Sequence, residues 1–385
     1  MTPKKILFLV ASDIRLEQRV NKELNSLCRG GYKLVLADFP ASNPNGNYQY
    51  ATYRPQSLLL RRLPKNILFW PLKYCELVIR FICVCVSEKP DIIHCVDRLA
   101  LIPAGLASML MKASVVYDSQ EIWPEVNTIL NKPKWLWLLI ERFFAKRCRY
   151  VLVTDKFRKE ITIDLLGLDP RKVLSLMNLP MFRALQVANS DVRRDSSFLH
   201  QRIMVYAGGI SPHRHIEEII ASLTYLPDEY ALVIMGFGSD DYIASLRKEV
   251  CRHKLETRVA FLPAVKWNEL PNYLSTADCS FALYEKNSVN NIYCSPSKIF
   301  DSFLAGLPVI STDNPLVLDL ASRVDAIGCI EIVTPNTIAL AVKRLLTGFN
   351  GITQKNKLIM FAKQNLVWEN QESRLVDVYA DTLQA

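Results

Sequence analysis

The chain has 385 residues, half of them hydrophobic and 22% charged, with 47 Lys/Arg against 38 Asp/Glu and a formal net charge of +9. That composition excludes a disordered chain and a low-complexity fibre, and the length suggests two domains. Residues 1–180 hold 27 Lys/Arg and 16 Asp/Glu, while the remainder hold 20 and 22. The whole positive excess therefore lies in the first half, where it points to a polyanionic partner such as acidic lipid, nucleic acid or a phosphorylated substrate.

The chain opens with Lys4 and Lys5 ahead of an apolar run at 6–10. The run is too short for a signal peptide and ends at Ser12-Asp13, so it reads as a first buried strand. A helical pattern at 17–29 and a second strand at 33–37 follow. Arg54, Arg61, Arg62 and Lys65 surround the apolar residues 58–60. The most apolar region, 66–86, is interrupted by Lys73, Glu76 and Arg80. Their spacing places all three on one helix face and predicts an amphipathic helix rather than a membrane-spanning one. Strands are predicted at 92–95, 114–117 and 151–154. His94 ends the first of these, at a position that should face a ligand cleft, and reads as a satisfied strand-end histidine ahead of a ligand contact. A helix at 135–149 sets Lys132, Lys134, Arg142, Lys146, Arg147 and Arg149 beside Trp135 and Phe143-Phe144. Basic residues in aromatic and apolar company suit an anionic membrane surface, and equally a helix with its apolar face buried in the protein.

Residues 181–201 are polar and irregular, include Arg193-Arg194-Asp195-Ser196-Ser197, and read as a linker. A second series then begins. Strands are predicted at 203–207, 231–235, 259–262, 279–283 and 308–311, with helices at 215–224, 241–253, 297–305 and 337–346. Continuous apolar strands alternating with helices mean parallel sheets covered on both faces. The ten cysteines include no C-x-x-C pair and no zinc-like spacing, and are expected to be small buried hydrophobes in a reducing compartment.

Of only 13 glycines, five fall at strand or helix ends in the second half. Gly208-Gly209 and Gly236/Gly238 follow predicted strands, and Gly306 reads as a helix C-terminal glycine. Strand, glycine turn, helix is an arrangement that aims backbone N–H groups at phosphate, although neither the dinucleotide fingerprint nor the Walker A motif is complete. Ser297 is expected to cap a helix whose first turn carries Lys298, which favours an anion, with Asp301 one turn on to meet sugar hydroxyls.

These residues resemble a known family. Pro296-Ser297-Lys298-Ile299-Phe300-Asp301 with Ala305-Gly306-Leu307-Pro308-Val309-Ile310 is similar to the donor-site motif P-[ST]-K-[LI]-F-E-x-x-A-x-G-x-P-V-I of the family 4 glycosyltransferases. Glu17-Gln18-Arg19-Val20-Asn21-Lys22-Glu23 resembles its D-x-R-V-x-R-E, and Tyr117-Asp118-Ser119-Gln120-Glu121 its Y-D-x-H-E. Met177-Asn178-Leu179-Pro180 resembles P-N-x-P, and the segment from Tyr206 to Glu217 resembles Y-x-G-x-x-x-x-[KR]-G-[LI]-E. Trp368-Glu369 with Tyr379 resembles the family's C-terminal helix.

The resemblance implies an α/β chain of the GT-B fold, two doubly wound Rossmann-like domains facing a cleft. It places an acceptor-side domain at 1–185, completed by a helix at 365–385, a linker at 186–200, and a donor domain at 201–364. By the same resemblance Gly208, Gly209, Arg214, Ser297 and Lys298 hold the donor diphosphate. Gly236, Gly238, Tyr293 and Asp301 meet its nucleoside and sugar, and Asp118, Gln120 and Glu121 stand at the catalytic position. His213 and His215, flanking Arg214, add donors to the phosphate loop. The implied reaction is metal-independent and retaining transfer from a UDP- or GDP-linked sugar, a substrate rather than a cofactor, to a lipid-linked or saccharide acceptor. The setting is envelope polysaccharide or glycolipid synthesis. The expected location is cytoplasmic, peripheral on the membrane face, with an anionic membrane surface as partner and no nucleic acid. Four positions depart from the family pattern: Gln120 stands where the family has His, Tyr293 and Asp301 where many members have a pair of Glu, and Gly209 where many members have Arg. A non-catalytic binding or scaffold subunit and a nucleotide-sugar epimerase are the alternatives.

Overall fold

The computed structural model describes residues 3–40, 51–57, 59, 69–122, 133–182, 191–198, 201–267 and 269–384. Two compact units divide the chain. The first comprises Met1–Asn178, Ser288–Asn290 and Gln371–Ala385; the second comprises Leu179–Asn287 and Asn291–Asn370.

The first unit runs β1 (Lys5–Val10), α1 (Gln18–Arg29), β2 (Lys33–Asp38), β3 (Ala51–Pro55), α2 (Trp70–Glu88), β4 (Ile92–Val96), α3 (Asp97–Leu110), β5 (Ser114–Ser119), α4 (Lys134–Ala145), β6 (Tyr150–Val153), α5 (Lys156–Leu166) and β7 (Val173–Ser175). Its strands lie in the order β3-β2-β1-β4-β5-β6-β7, with every pairing parallel. Strands 5–10 and 92–96 are apolar at nearly every position because both faces of a parallel sheet are buried. Leu7, Leu9, Ile93 and Val115 share a core with α2, α3 and α4 on one face. On the other face Phe8 stacks on His94.

The second unit runs α6 (Val192–Ser196), β8 (Arg202–Ala207), α7 (Ile216–Ser222), β9 (Tyr230–Met235), α8 (Asp240–Arg252), β10 (Val259–Leu262), α9 (Leu270–Ser275), β11 (Cys279–Ala282), α10 (Val289–Ile292), α11 (Ser297–Leu304), β12 (Val309–Thr312), α12 (Pro315–Ala321), β13 (Ile327–Ile330), α13 (Pro335–Gly348) and α14 (Ile352–Asn365). Its parallel sheet has the order β10-β9-β8-β11-β12-β13. Strand order reverses between β1 and β4 in the first sheet and between β8 and β11 in the second, the switch points beyond which such sheets hold ligands. The last helix, α15 (Glu372–Gln384), belongs to the first unit. Gln371, just ahead of it, pairs with the Met177 backbone, and Arg149 and Tyr150 both reach Asp381.

Several expectations need correction. Part of the stretch read as linker is helix: Asp191 caps α6, Val192 is fully buried with Ile203 and Val205, and Arg193 pairs with Asp278 at 2.7 Å. Residues 183–190 and 199–200 lie outside the described residues, as do Arg61, Arg62, Lys65 and Lys132. Cysteines are divided rather than uniformly buried. Cys85, Cys95, Cys148 and Cys279 are buried, whereas Cys28, Cys75, Cys83, Cys251 and Cys329 are exposed. On α2 the predicted charged face is half-buried, with Glu76 and Arg80 paired at 2.8 Å, and the outward positions are apolar. Among the described residues no helix is long and apolar enough to cross a membrane.

The first unit also encloses charge. Arg19 from α1 is 1% exposed and holds both oxygens of the fully buried Asp118 on β5, at 3.1 and 2.7 Å. Its Nε lies 3.1 Å from Glu23 Oε1, and its other amino group reaches the Leu176 carbonyl. Glu23 Oε2 stands 3.4 Å from His94 Nε2, and His94 Nδ1 meets the Tyr379 hydroxyl of α15. His94, expected to face a cleft, is thus fully enclosed. Burial, followed by the Asp118 charge, raises the Glu23 carboxyl to about 8, and burial lowers His94 to about 4. Both are neutral near pH 7, leaving one buried cation matched to one buried anion.

Arg19→Ala removes the guanidinium partner of the buried Asp118, and is expected to cost about 3–5 kcal/mol in denaturant unfolding. A loss below about 1 kcal/mol would show that the pair does not organise the unit. Glu23 gains its proton on folding, so its stabilisation is complete below its ordinary 4.5 and declines as pH rises through about 8. Glu23→Gln should flatten that decline.

Candidate active site

In the second unit, the turns after two neighbouring strands lie against each other. Gly208 follows β8 with φ +135°, and Gly236 follows β9 with φ +155°. Both angles favour glycine, and a Cβ on Gly236 would fall on the Gly208 carbonyl oxygen. Ile210 and Gly238 continue the contact as an isolated bridge. A Cβ on Gly208 would lie 2.6 Å from Lys298 Cε, so the lysine stem rests directly on the bare backbone of the first turn. Gly209 has open space around it and imposes no such requirement.

Lys298 is the second residue of α11. Its Nζ donates to Tyr206 Oη at 3.0 Å and lies over the Tyr206 ring, 4.5 Å from its centre. The Tyr206 hydroxyl in turn donates to the Gly209 carbonyl at 2.6 Å. Tyr284, just beyond β11, lies 5.6 Å from Lys298 Nζ and takes the Arg214 guanidinium on its face at 4.2 Å. Burial, then the like charge of Arg214, lowers Lys298 to about 7. Among the described residues neither cation has a carboxylate partner. Two converging cations beside uncovered backbone and a helix N-terminus form a site that lacks only an anion.

The helix start differs from expectation. Ser297 does not cap α11, because Pro296 occupies the N-cap and no side chain accepts from the first turn. Within that turn the Ile299 N–H donates to the Pro296 carbonyl at 3.0 Å. Asp301 sits one turn beyond Lys298, half-buried, and Tyr293 is half-buried on the approach to the helix. His213 and His215, expected to add donors, turn to carboxylates: His213 to Glu285 at 2.9 Å and His215 to Glu218 at 3.3 Å. Tyr284 was not expected at the site. Its signal in the sequence was only its place after an apolar run. Tyr206 lay within a quoted motif, but as a strand residue.

In the first unit, 117–121 form the C-terminal end of β5 and the turn after it. Asp118 lies beneath the surface, held by Arg19. Gln120 Nε2 donates to Asp118 Oδ2 at 2.8 Å, its backbone N–H donates to Asp97 at 3.2 Å, and its carbonyl accepts from Arg158 at 2.6 Å. Gln120 is therefore fixed in place on top of Asp118. The Glu121 side chain is 45% exposed, 3.9 Å from Arg158. Of the three expected catalytic residues, Gln120 and Glu121 lie in the turn at the strand end, while Asp118 lies beneath and supports Gln120. Glu23, His94 and Asp118 are close enough to suggest a cation site. The Arg19 guanidinium already fills it.

Two family models match: a glycosyl transferase 4-like domain at residues 17–178 and glycosyl transferases group 1 at 190–362. The chain belongs to the group 1 glycosyltransferases. Among curated relatives, the chitobiosyldiphosphodolichol beta-mannosyltransferase of Candida glabrata is 23% identical over 208 residues, 47% of this chain and 45% of that one. The O-antigen chain mannosyltransferase RfbU of Salmonella typhimurium is 26% identical over 190 residues, 49% of each chain. The match thus spans about half the length of these relatives. Among solved structures, Anabaena HepE in complex with UDP-glucose aligns with a TM-score of 0.76 at 15% identity, over 98% of this glycosyltransferase and 99% of that chain. At that identity the likeness shows the shared GT-B fold, with its two Rossmann-like domains.

The turns of this glycosyltransferase give a graded test. Gly208→Ala should displace Lys298 and weaken UDP or GDP binding by at least about tenfold, while Gly209→Ala should leave it within about twofold. Equal losses in calorimetry would remove the close approach as the cause. The site should also titrate. An anion that raises the lysine pKa binds best below the free value, so affinity should fall as pH rises through about 7, with proton uptake on binding. Lys298→Arg should abolish that pH dependence.

Proposed function

We propose that this glycosyltransferase moves a mannosyl group from a nucleoside diphosphate to a lipid-linked or saccharide acceptor in polysaccharide or glycolipid synthesis. The observation that carries the donor half of the reading is the Lys298–Arg214 pair, two cations without carboxylate partners among the described residues, above bare glycine backbone. Departure of a nucleoside diphosphate concentrates negative charge on its terminal phosphate, and fixed cations already facing that point stabilise it. Because Lys298 is lowered to about 7 by burial, an arriving diphosphate recruits its proton, and the ammonium form then persists through bond breaking. Asp301 and Tyr293 are assigned to nucleoside and sugar hydroxyls. In this reading no metal takes part.

Mannose is supported by the names of both curated relatives, and a UDP-sugar by that of the solved neighbour. We assign the acceptor to the first unit, where Gln120 presents an amide held by Asp118 and Glu121 presents a carboxylate. A carboxamide does not gain or lose a proton near neutral pH, so Gln120 can orient hydroxyls but cannot act as an acid or base. Retention of configuration follows from the family 4 resemblance. We place the protein peripherally at the cytoplasmic face of an anionic membrane, in keeping with the basic first half.

The test is turnover of UDP- and GDP-linked hexoses with membrane lipid extract, with products followed by mass spectrometry and their anomeric form by NMR. Transfer by the wild type and a loss of about 100-fold or more in Lys298→Ala are expected. Nucleotide binding without turnover would instead assign a non-catalytic subunit. A changed free sugar nucleotide would assign an epimerase.

A further inference from the structure

The helices α2, α3 and α4 cover one face of the first sheet, yet each also turns apolar residues outward. On α2 the outward positions are Leu72, Cys75, Ile79, Cys83 and Val86. They recur every three or four residues, a straight stripe of about 20 Å at 1.5 Å per residue. On α4 the outward residues are Trp135, Leu136, Leu139 and Phe143, with Trp135 64% exposed. On α3 they are Leu106, Met109 and Leu110, near its C-terminal end.

The three stripes run together. Trp70 and Tyr74 of α2 pack edge-on to Trp137 of α4, with ring centres 5.7 and 6.3 Å apart. Arg98, in the first turn of α3, lies 4.6 Å from Trp137. The flanking helices thus meet near the start of α3. Apolar residues turned outward on three neighbouring helices of one face mark a docking site, unlike scattered single residues.

Charge identifies what docks. The carboxylates of these helices are occupied or enclosed: Glu76 pairs with Arg80, Glu88 with Lys5 and Arg54, and Glu141 is buried and accepts from the Tyr117 hydroxyl. Exposed Lys112, Lys146 and Arg147 follow the C-terminal ends of α3 and α4, with Arg147 lying 3.6 Å over the Phe143 ring. A second copy docking by the same face would bring these cations no carboxylate that is not already occupied. An anionic lipid surface accepts both the apolar stripes and their basic rim.

We propose that the outer face of α2, α3 and α4 is the surface by which this protein docks on an anionic bilayer, its apolar side chains entering the headgroup boundary. The proposal gives the membrane of the preceding reading a specific face, and its evidence is independent of the donor site.

The full chain should co-sediment with phosphatidylcholine vesicles containing phosphatidylglycerol and much less with phosphatidylcholine alone. High salt should weaken this binding without abolishing it, because part of it is apolar. Ile79→Ser with Leu139→Ser should reduce vesicle binding by at least about tenfold, while nucleotide binding and the thermal midpoint stay unchanged. Trp135→Phe should lose a blue shift in fluorescence that the wild type shows on vesicles. Unimpaired binding by the double variant would overturn the proposal, as would failure of the wild type to bind anionic vesicles. A dimer that the double variant dissociates would give the face to a second copy instead. If vesicle binding fails while Lys298-dependent nucleotide binding persists, this face alone is refuted and the glycosyl-transfer reading stands.

Discussion

The bidentate pairing of Arg19 with Asp118 joins elements far apart in the chain. It ties α1 to β5, and through the Leu176 carbonyl it fixes the end of β7. An enclosed guanidinium–carboxylate pair holds only if each charge has its partner, since either one alone is costly to bury. Asp118 in turn holds Gln120, so the outermost residue of the strand end inherits its position from a charge pair beneath it. Through Glu23 and His94 the same cluster reaches Tyr379 and seats α15, the segment farthest along the sequence from α1.

The two units treat charge in opposite ways. Beneath the strand end of the first, protonation states settle until a single cation faces a single anion. At the strand ends of the second, Lys298 and Arg214 repel one another across Tyr284 without a neutralising carboxylate among the described residues, and burial depresses the lysine. A balanced cluster stabilises a fold. An unbalanced one leaves binding energy for a ligand, and it is tolerated because aromatic faces and the Tyr206 hydroxyl take up part of the cationic charge. The glycine turns serve the same end, because only bare backbone lets the lysine stem lie so close to the strand.

The central strands were legible because burial on both faces writes a continuous apolar run. The three strands that escaped detection, β3, β7 and β13, all stand at sheet edges, where ATYRP, VLS and IGCI face water on one side and lose that signal. Gly208, Gly236 and Lys298 could be read from strand–turn–helix order and Arg214 from the family resemblance, and the structure brings them together. Tyr284 could not, since its place depends on β11 lying beside β8. Ser297 failed as a cap because the proline before it already sets the cap geometry. Asp118 sat in a legible motif, but its burial under Arg19 depends on a partner 99 residues away. The outward stripe of α2 was hidden for a further reason. A helix apolar on two faces looks, in one dimension, like a helix with a single broad core face.

The charge asymmetry between the halves of the chain deepens in three dimensions. A formal count treats every Glu and Asp as a full negative charge. In the first unit, burial raises Glu23 to about 8 and Glu141 to about 7, so near neutrality the first is mostly protonated and the second partly so. Each proton retained removes negative charge from the half that is already basic. Burial lowers Arg98 as well, but from so high a starting value that it remains a cation. Lys298, the one lysine brought near neutrality among the described residues, lies in the other unit. The second unit therefore carries less positive charge than its composition states, while the unit bearing the apolar helix faces is more cationic than its composition states. The same physical term, the cost of holding an ion away from water, moves the two units apart in charge.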